Sequence, residues 1–455
     1  MPTGPLRFHV ETLGCPKNAV DSDKVVATLL ADGLVVAEAA ESADLIVVNT
    51  CAFIEAARQE SIDTVLGLAA ARRPGSKLIV TGCLAERAGD ELAAALPEVD
   101  AVVGFAGEGS LAARVGMAAP VTMKRKPTGV RDLLELPRPA PSAPWAYVKV
   151  AEGCDRKCAF CAIPSFRGTQ RSRSIESIAR EVRQLVDGGV VEVVLVAQDL
   201  AWYGRDIDEA DALSALLHRL DRLRDDGLAR VRLLYLYPSE VRDPLLATML
   251  ELDSVVPYFD LSLQHAAPDL LRRMKRWGSG DRFLELIADI RSACPDAVFR
   301  SSFISGFPGE SEDHHEQLLA FLDAAQLDWA GFFAYSLEPG TAAAELDGRV
   351  TDDVVRERLR ELAEVQEPIT AAARLALIGR PIEVLVDSTD DDTVVGRTHR
   401  EAPEIDGVVR LHGVEFARPG SIVTATVIDV EGPDLDAEPL TVLTPRSNAD
   451  AGTTT

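Results

Sequence analysis

The chain has 455 residues, 47% of them hydrophobic and 26% charged, with 47 Lys and Arg against 72 Asp and Glu and hence a net charge of −25. That length predicts two to four domains, and the balance of apolar and charged residues argues against a disordered chain. No apolar run reaches the ~18 residues of a bilayer span, and the opening MPTGPLRFHVETLG lacks an apolar signal core, so a cytoplasmic protein is expected rather than a membrane or secreted one. The acidic field repels a polyphosphate backbone and attracts a basic partner.

The first third alternates short β-branched runs with helical stretches. Strands are expected at Leu6–Glu11, Asp44–Asn49, Lys77–Thr81 and Ala101–Val103, with helices at Ala19–Ala31, Ala52–Ala70 and Ala85–Leu96. Continuous apolar strands alternating with helices predict a parallel sheet covered on both faces, with ligands at the carboxyl ends of its strands. Cys15, Cys51 and Cys83 each follow such an end, which predicts that the three thiols meet along one edge. The segment Gly104–Gly109 misses the dinucleotide fingerprint and reads as a loop. A basic run at Lys124-Arg125-Lys126-Pro127 and the proline-dense stretch Pro137–Pro144 then read as an extended spacer.

The seven cysteines are an odd number in a chain with no secretory signal, so a disulfide framework is not expected. Three of them, Cys154, Cys158 and Cys161, stand in a C-x3-C-x2-C spacing with Phe160 just before the last. Three thiolates are soft ligands suited to zinc or to an iron–sulfur cluster. A structural zinc wants four ligands and the segment offers three, whereas a cubane held by three keeps one iron open.

Six further strands are expected at Ala146–Ala151, Glu192–Ala197, Arg232–Tyr237, Tyr258–Leu263, Ala297–Ile304 and Gly331–Ser336. Helical stretches fall between them at Ile175–Asp187, Ala212–Leu223, Pro268–Trp277, Arg282–Ala293 and Glu312–Ala325. This pattern predicts a partial TIM-like (β/α)6 barrel whose chemistry sits at the strand ends. Those ends nominate Gln198 and Asp199, Tyr237-Pro238, Gln264-His265, and Ser305-Gly306-Phe307-Pro308-Gly309 as the pocket. Gly306 and Gly309 are either places of close backbone approach to a cofactor or ordinary turn glycines. Cys294 reads as a buried thiol and His314-His315 as a solvated helical turn. A helix from Asp352 to about Glu367 shows a solvated face of Arg356, Glu357, Arg358 and Glu361, and Pro368 should end or kink it. Beyond it, strands at Ile382–Asp387, Val394–Thr398, Val408–Leu411 and Ile422–Asp429 predict a small antiparallel barrel, followed by a polar, disordered tail. Residues 378–455 hold 15 acidic and 6 basic residues, a net charge of −9, with Asp390-Asp391-Asp392 in one loop.

The Cys154/Cys158/Cys161 loop with Phe160 resembles the radical S-adenosylmethionine (SAM) superfamily. The whole layout is similar to the methylthiotransferases, with a flavodoxin-like N-terminal domain at 1–125, a linker at 126–144, a radical SAM domain at 145–373, a TRAM domain at 374–445 and a tail at 446–455. The stretches Gly14-Cys15-Pro16-Lys17-Asn18 with Asp21-Ser22, Asn49-Thr50-Cys51-Ala52-Phe53-Ile54, Cys161-Ala162-Ile163-Pro164-Ser165-Phe166-Arg167-Gly168, and Ala197-Gln198-Asp199 with Tyr203-Gly204 look most like the RimO-type branch, which modifies a ribosomal protein.

The resemblance implies two [4Fe-4S] clusters, one on Cys154, Cys158 and Cys161 and one on Cys15, Cys51 and Cys83. It also implies SAM, for which Phe160, Gln198, Ser305 and Gly306 are the candidate contacts. Chemistry then resides at the clusters, with no acid or base residue. One SAM donates a methyl group to sulfur at the N-terminal cluster. A second is cleaved to a 5′-deoxyadenosyl radical, which takes hydrogen from the β-carbon of an aspartate in small-subunit ribosomal protein twelve. An external electron donor is required. The alternative is an adenosine of transfer RNA, but a −9 barrel suits a basic protein better than RNA, so no direct nucleic-acid substrate is expected. The basic residues Arg167, Arg171 and Arg173 are either surface charge or a contact for the substrate or the SAM carboxylate.

Overall fold

The computed structural model describes residues 5–117, 133–207, 211–390, 393–413 and 417–443. The basic run at 124–127, two of the three aspartates at 390–392 and the tail at 446–455 lie outside them.

In the first region β1 (Arg7–Thr12), α1 (Pro16–Ala31), β2 (Val35–Val36), β3 (Leu45–Thr50), α2 (Glu55–Ala71), β4 (Lys77–Gly82), α3 (Cys83–Ala95), β5 (Ala101–Val102) and α4 (Leu111–Arg114) follow in order. The strands pair as β2-β1-β3-β4-β5, all parallel, which is the flavodoxin order. Leu45, Val47 and Ile79 face α1 and α4, while Ile46, Val48, Leu78 and Val80 face α2 and α3. With both faces buried, the run has no polar alternation to show.

The central region opens with β6 (Trp145–Lys149), β7 (Ala151–Glu152), α5 (Ile163–Arg167), β8 (Arg171–Ser172), α6 (Ile175–Asp187), β9 (Glu192–Val196), α7 (Ala212–Asp221) and β10 (Arg230–Leu233). It continues through α8 (Leu245–Glu251), β11 (Tyr258–Gln264), α9 (Pro268–Arg273), α10 (Gly280–Ala293), β12 (Val298–Ser305), α11 (Glu312–Ala325), β13 (Trp329–Ala334) and α12 (Asp352–Leu375). Helix α6 shows the local logic. Ser174 caps it by accepting from Ser177 N, Ile178, Val182 and Leu185 bury one stripe, and Gly188 ends it. The strands form two parallel triplets, β10-β9-β6 and β11-β12-β13, joined by parallel bridges from Val231 to Val255 and from Leu236 to Leu261. Six parallel strands thus make an open barrel arc.

The last region is a closed barrel of β14 (Pro381–Asp390), β15 (Thr393–Arg397), β16 (Val409–Leu411), β17 (Ile422–Glu431) and β18 (Asp434–Leu443), in the order β14-β15-β16-β18-β17. It is antiparallel except where β16 meets β18. The fifth strand, β18, was not expected. Its acidic residues and Pro439 hide it, and Pro439 is tolerated at a register shift opposite Ala425.

Three other expectations are corrected, and the spacer gains contacts. Pro368 does not end α12, which runs on to Leu375. Gln366 and Thr370 on either side of it anchor to the Leu327 and Asp328 carbonyls, so tertiary packing overrides the lost backbone bond. Arg358 is not solvated but buried against Glu310 and Glu312. His315 is buried and meets Glu361 at 2.7 Å, which removes it from any solvated turn. The spacer is pinned: Lys24 Nζ donates to Leu134 O at 2.6 Å, and Arg138 reaches Asp23 and Tyr147 O.

The C-terminal barrel closes the mouth of the arc where its strands begin. Residues 398–406 enter that mouth, where Ala402 joins Tyr147, Tyr258, Val298 and Trp329 in one apolar cluster. Tyr147 OH donates to Pro403 O at 2.9 Å and Trp329 Nε1 to Arg400 O at 2.8 Å. Buried Glu192 takes Arg232 at 2.8 Å and Arg397 at 3.0 Å.

Candidate active site

The opposite mouth, where the strands end, carries the cysteines. Cys15 is the residue before α1, Cys51 follows β3, and Cys83 is the first residue of α3. Since β1, β3 and β4 are neighbours, the three thiols share one edge. Gly14 has φ +92°, and a Cβ there would stand 2.9 Å from Cys51 Sγ, so only glycine lets these two chain segments approach. Asn18 knits the edge together: its Nδ2 donates to Leu13 O at 2.8 Å and Thr50 O at 3.0 Å, and its Oδ1 accepts from Cys83 Sγ at 3.6 Å. Burial raises the Cys51 thiol, and it pushes Cys83 up to about 11 against the pull of Arg167. Burial also raises Cys15, but Lys17 and Arg167 outweigh it and leave this thiol below its ordinary value. Burial in turn pushes Lys17 below the usual lysine range.

The second trio sits on the loop after β7. Gly153, at φ +76°, would place a Cβ 2.1 Å from Thr169 O, so the fold-back of this loop requires glycine. Cys154 N donates to Gly168 O at 3.1 Å, Cys161 N to Cys158 O at 3.2 Å and Ala159 N to Met274 O at 2.9 Å. Burial lifts Cys154 to about 11 and Cys161 to about 12, and the neighbouring thiols add to each. Arg276 stands 3.4 Å from Cys158 Sγ. The guanidiniums of Arg156 and Arg276 both lie against the Tyr237 ring, and Asp199 and Glu240 hold Arg156 at 2.6 and 3.1 Å. Among the described residues no three His, Cys, Asp or Glu side chains converge closely enough for a single metal ion.

A buried charge network runs from the first trio to Glu152 at the base of the Cys154–Cys161 loop. Arg167, in α5 just beyond the Cys loop, donates to Cys83 Sγ at 3.0 Å, Asn18 Oδ1 at 2.8 Å and both Glu152 oxygens at 2.8 and 2.9 Å. Lys149 bonds Glu152 at 2.6 Å and also Asp21, and Gln198 Nε2 donates to Glu152 at 2.9 Å. Across the mouth, buried Glu338 accepts from Arg58 of α2 at 2.5 Å and Arg87 of α3 at 2.6 Å, and Glu55 N donates to Ser336 at 3.0 Å. These contacts seat the cysteine edge of the first sheet on the strand ends of the arc.

Gln198 lies in the network, and Phe160 packs on the central core. Ser305 and Gly306 lie outside that network, at the end of β12. Both bond to Glu310, and a Cβ on Gly306 would collide with Val355 at 2.4 Å. Gly309 likewise faces the Arg273 guanidinium at 2.9 Å, so packing within the protein accounts for both glycines. His265 is buried, its Nδ1 accepts from Ala267 N at 3.0 Å, its Nε2 has no partner, and burial drives its pKa down to about 3. Cys294 is a half-buried thiol outside both trios.

The surface reading of the arginine stripe fails for two of its members, since Arg167 and Arg173 are buried and only Arg171 is exposed. Lys149, Glu152, Arg276 and Glu338 have no place in the sequence reading of this site, and Lys17, Asn18 and Asp21 enter it only as members of a motif, without a role. Charges inside the apolar run that holds Lys149 and Glu152 were a usable signal, because such residues are rarely buried without a task. Nothing local marks Arg276 or Glu338.

Residues 7–104 match the model of the uncharacterized protein family UPF0004, residues 148–322 the radical SAM superfamily and residues 378–440 the TRAM domain. The chain is 41% identical to the ribosomal protein uS12 methylthiotransferase RimO of Cutibacterium acnes, covering 95% of this chain and 98% of that one. It is 40% identical to the protein of that name from Nocardioides sp., covering 96% and 97%. Among solved structures, the radical SAM methyltransferase TsrM from Kitasatospora setae, with cobalamin and a [4Fe-4S] cluster bound, superposes with a TM-score of 0.53 at 14% identity, covering 75% of this chain and 74% of that one. The last likeness is one of fold.

Proposed function

The chain belongs to the RimO family of ribosomal protein uS12 methylthiotransferases, and on that footing we propose that it places a methylthio group on the β-carbon of an aspartate of uS12. It is a radical SAM methylthiotransferase that works with SAM and [4Fe-4S] clusters. The observation that supports the reading is the contact of Arg167, just beyond the Cys154–Cys161 loop, with both Cys83 and Glu152.

The residues fit these groups. Three thiols per site are a soft donor set for a four-iron cubane with one iron left over. Beside the second trio, buried Gln198 Oε1 and Asp199 Oδ1 have no hydrogen-bond partner among the described residues. Cys154, Cys158 and Cys161 would hold the cluster that works with SAM, and Cys15, Cys51 and Cys83 the other. Phe160, Gln198, Ser305 and Gly306, all at this mouth, are the proposed SAM contacts. When bound, SAM and the clusters supply the radical that breaks an unactivated C–H bond and the sulfur and methyl that replace the hydrogen.

The chain's own residues position and insulate. Arg167 sets a fixed positive charge beside Cys83, which favours negative charge on that sulfur. Glu152, shared by Arg167, Lys149 and Gln198, ties the Cys loop to the N-terminal sheet. Glu338 with Arg58 and Arg87 closes the seam and keeps water from the space between. An external electron donor and a cytoplasmic site, where ribosomes are found, complete the reading. The acidic C-terminal barrel suits a basic ribosomal protein better than transfer RNA.

Mass spectrometry of uS12 and transfer RNA from a deletion strain tests this. Loss of the methylthio group from uS12 alone is expected. Loss from transfer RNA instead would transfer the assignment to the RNA-modifying branch.

A further inference from the structure

The target of this reaction is an anion, and the enzyme carries a net charge of −25. A buried carboxylate must be met by a cation or a set of donors. The cations around the cysteine mouth are mostly taken. Arg167 and Lys149 are held by Glu152 and Asp21, and Arg156 by Asp199 and Glu240. Arg276 is engaged by Cys158 and by the Ser262 carbonyl.

Lys157 on the Cys loop is exposed to solvent, whereas Lys17 lies over a ring beside Cys15. It stands two residues after Cys15, in the first turn of α1, where the helix dipole disfavours a cation. Its Nζ sits 3.4 Å above the Tyr235 ring, and among the described residues it has no carboxylate within ion-pair distance. The ring is placed deliberately: Tyr235 has φ +63°, a conformation rare for an aromatic residue, and its N–H is pinned to Asp260 Oδ2 at 2.9 Å. Thus a lysine that breaks a helix rule and a tyrosine that breaks a backbone rule are held against each other, at the end of β10 and beside Cys15. Such local violations collect where a site is built.

We propose that Lys17 Nζ binds the side-chain carboxylate of the substrate aspartate, so that the enzyme selects an anionic residue over a neutral one; this rests on the uS12 reading and names the residue that enforces it. The β-carbon is bonded directly to that carboxyl carbon. Fixing the carboxylate at Lys17 therefore presents the β-carbon beside Cys15, within the mouth that both trios share. Arg167, Lys149 and Arg156 cannot substitute without releasing the carboxylates that hold them, nor Arg276 without leaving Cys158.

The test uses purified anaerobic holoenzyme with uS12 and with uS12 whose target aspartate is replaced by asparagine. Wild-type enzyme is expected to prefer the aspartate form by roughly 10- to 100-fold in kcat/KM, the worth of one charge-assisted hydrogen bond. Lys17→Met should lose about that factor on the aspartate form, and its preference should collapse toward one. Lys17→Arg should recover part of it. Iron content and cluster absorption of Lys17→Met should match wild type. A Lys17→Met enzyme that keeps the preference overturns the proposal. So does one that loses iron, because Lys17 would then serve the cysteine site itself. Should Lys17→Met fail to fold, the wild-type ratio and Lys17→Arg carry the test, and a wild-type ratio near one overturns the proposal. If wild type modifies neither form of uS12, the functional reading fails and the proposal with it, an outcome distinct from a loss of preference alone.

Discussion

The two mouths of the barrel arc bury charge in opposite ways. Where the strands begin, each of these acids meets a base: Glu192 takes Arg232 and Arg397, Asp387 takes Arg397, Asp406 takes Arg300, and Glu401 takes Arg374, although Arg374 Nε and Nη2 have no hydrogen-bond partner among the described residues. Residues 398–406 then stop that mouth with chain. Where the strands end, thiols cluster, Gln198 Oε1 and Asp199 Oδ1 have no hydrogen-bond partner among the described residues, and Lys17 rests on a ring. Buried polarity that is matched builds a structure, and buried polarity left partly unmatched waits for a ligand. The C-terminal barrel accordingly acts as a plug for the arc, whatever else it binds.

The sharpest way to break this comparison is at the cysteines. Cys154→Ala should abolish SAM cleavage, read as 5′-deoxyadenosine release. Cys51→Ala should stop methylthiolation while 5′-deoxyadenosine still forms. Equal losses of both products in both variants would erase the division of labour between the trios. At the plugged mouth the expected loss is stability. Glu192→Ala strands the buried Arg232 guanidinium, takes one of two carboxylates from Arg397 and should cost about 3–5 kcal/mol in urea unfolding. An unchanged midpoint would show that this network is not structural.

A smaller effect is expected at the seam. Glu338→Gln removes the charge that Arg58 and Arg87 share and should cost about 1–3 kcal/mol locally. Faster hydrogen exchange in α2 and α3, with the unfolding midpoint nearly constant, is the expected signature. No change in exchange would mean that apolar contacts alone seat the sheet on the arc.

The sequence exposed the cysteine mouth more readily than the plugged one, for a physical reason. Each thiol follows an apolar strand, and parallel topology alone brings such positions together, so Cys15, Cys51 and Cys83 could be grouped from local pattern. Lys149 and Asp21 lie 128 residues apart, and Arg397 and Glu192 lie 205 apart. No period or spacing encodes such pairs. Arg167 and Arg358 looked solvated because their sequence neighbours are polar, and only tertiary packing buries them. The plug at 398–406 reads as a turn-rich loop, and its fit to the arc depends on side chains from six strands.

Asp406 gives the finest discrimination between the mouths, through pH. It accepts from Tyr258 OH at 2.6 Å and from Ala402 N at 2.8 Å, and it lies 3.5 Å from Arg300. Burial nonetheless raises its pKa from 3.8 to about 6, against the pull of Arg300 and the two donors. A group whose pKa is higher in the folded chain than in the unfolded one contributes most below the unfolded value and loses that contribution as pH rises through the folded value. Ionised Asp406 is therefore a net cost at neutral pH, on the order of 3 kcal/mol at most. Asp406→Asn keeps an acceptor for Tyr258 and for Ala402 N–H but cannot ionise. Its stability relative to wild type should rise between about pH 4 and 7, the window set by the two values. Denaturant midpoints measured across that range decide the matter. If the difference between the two proteins stays flat with pH, Arg300 already neutralises the carboxylate, and the plugged mouth is more completely matched than burial alone implies.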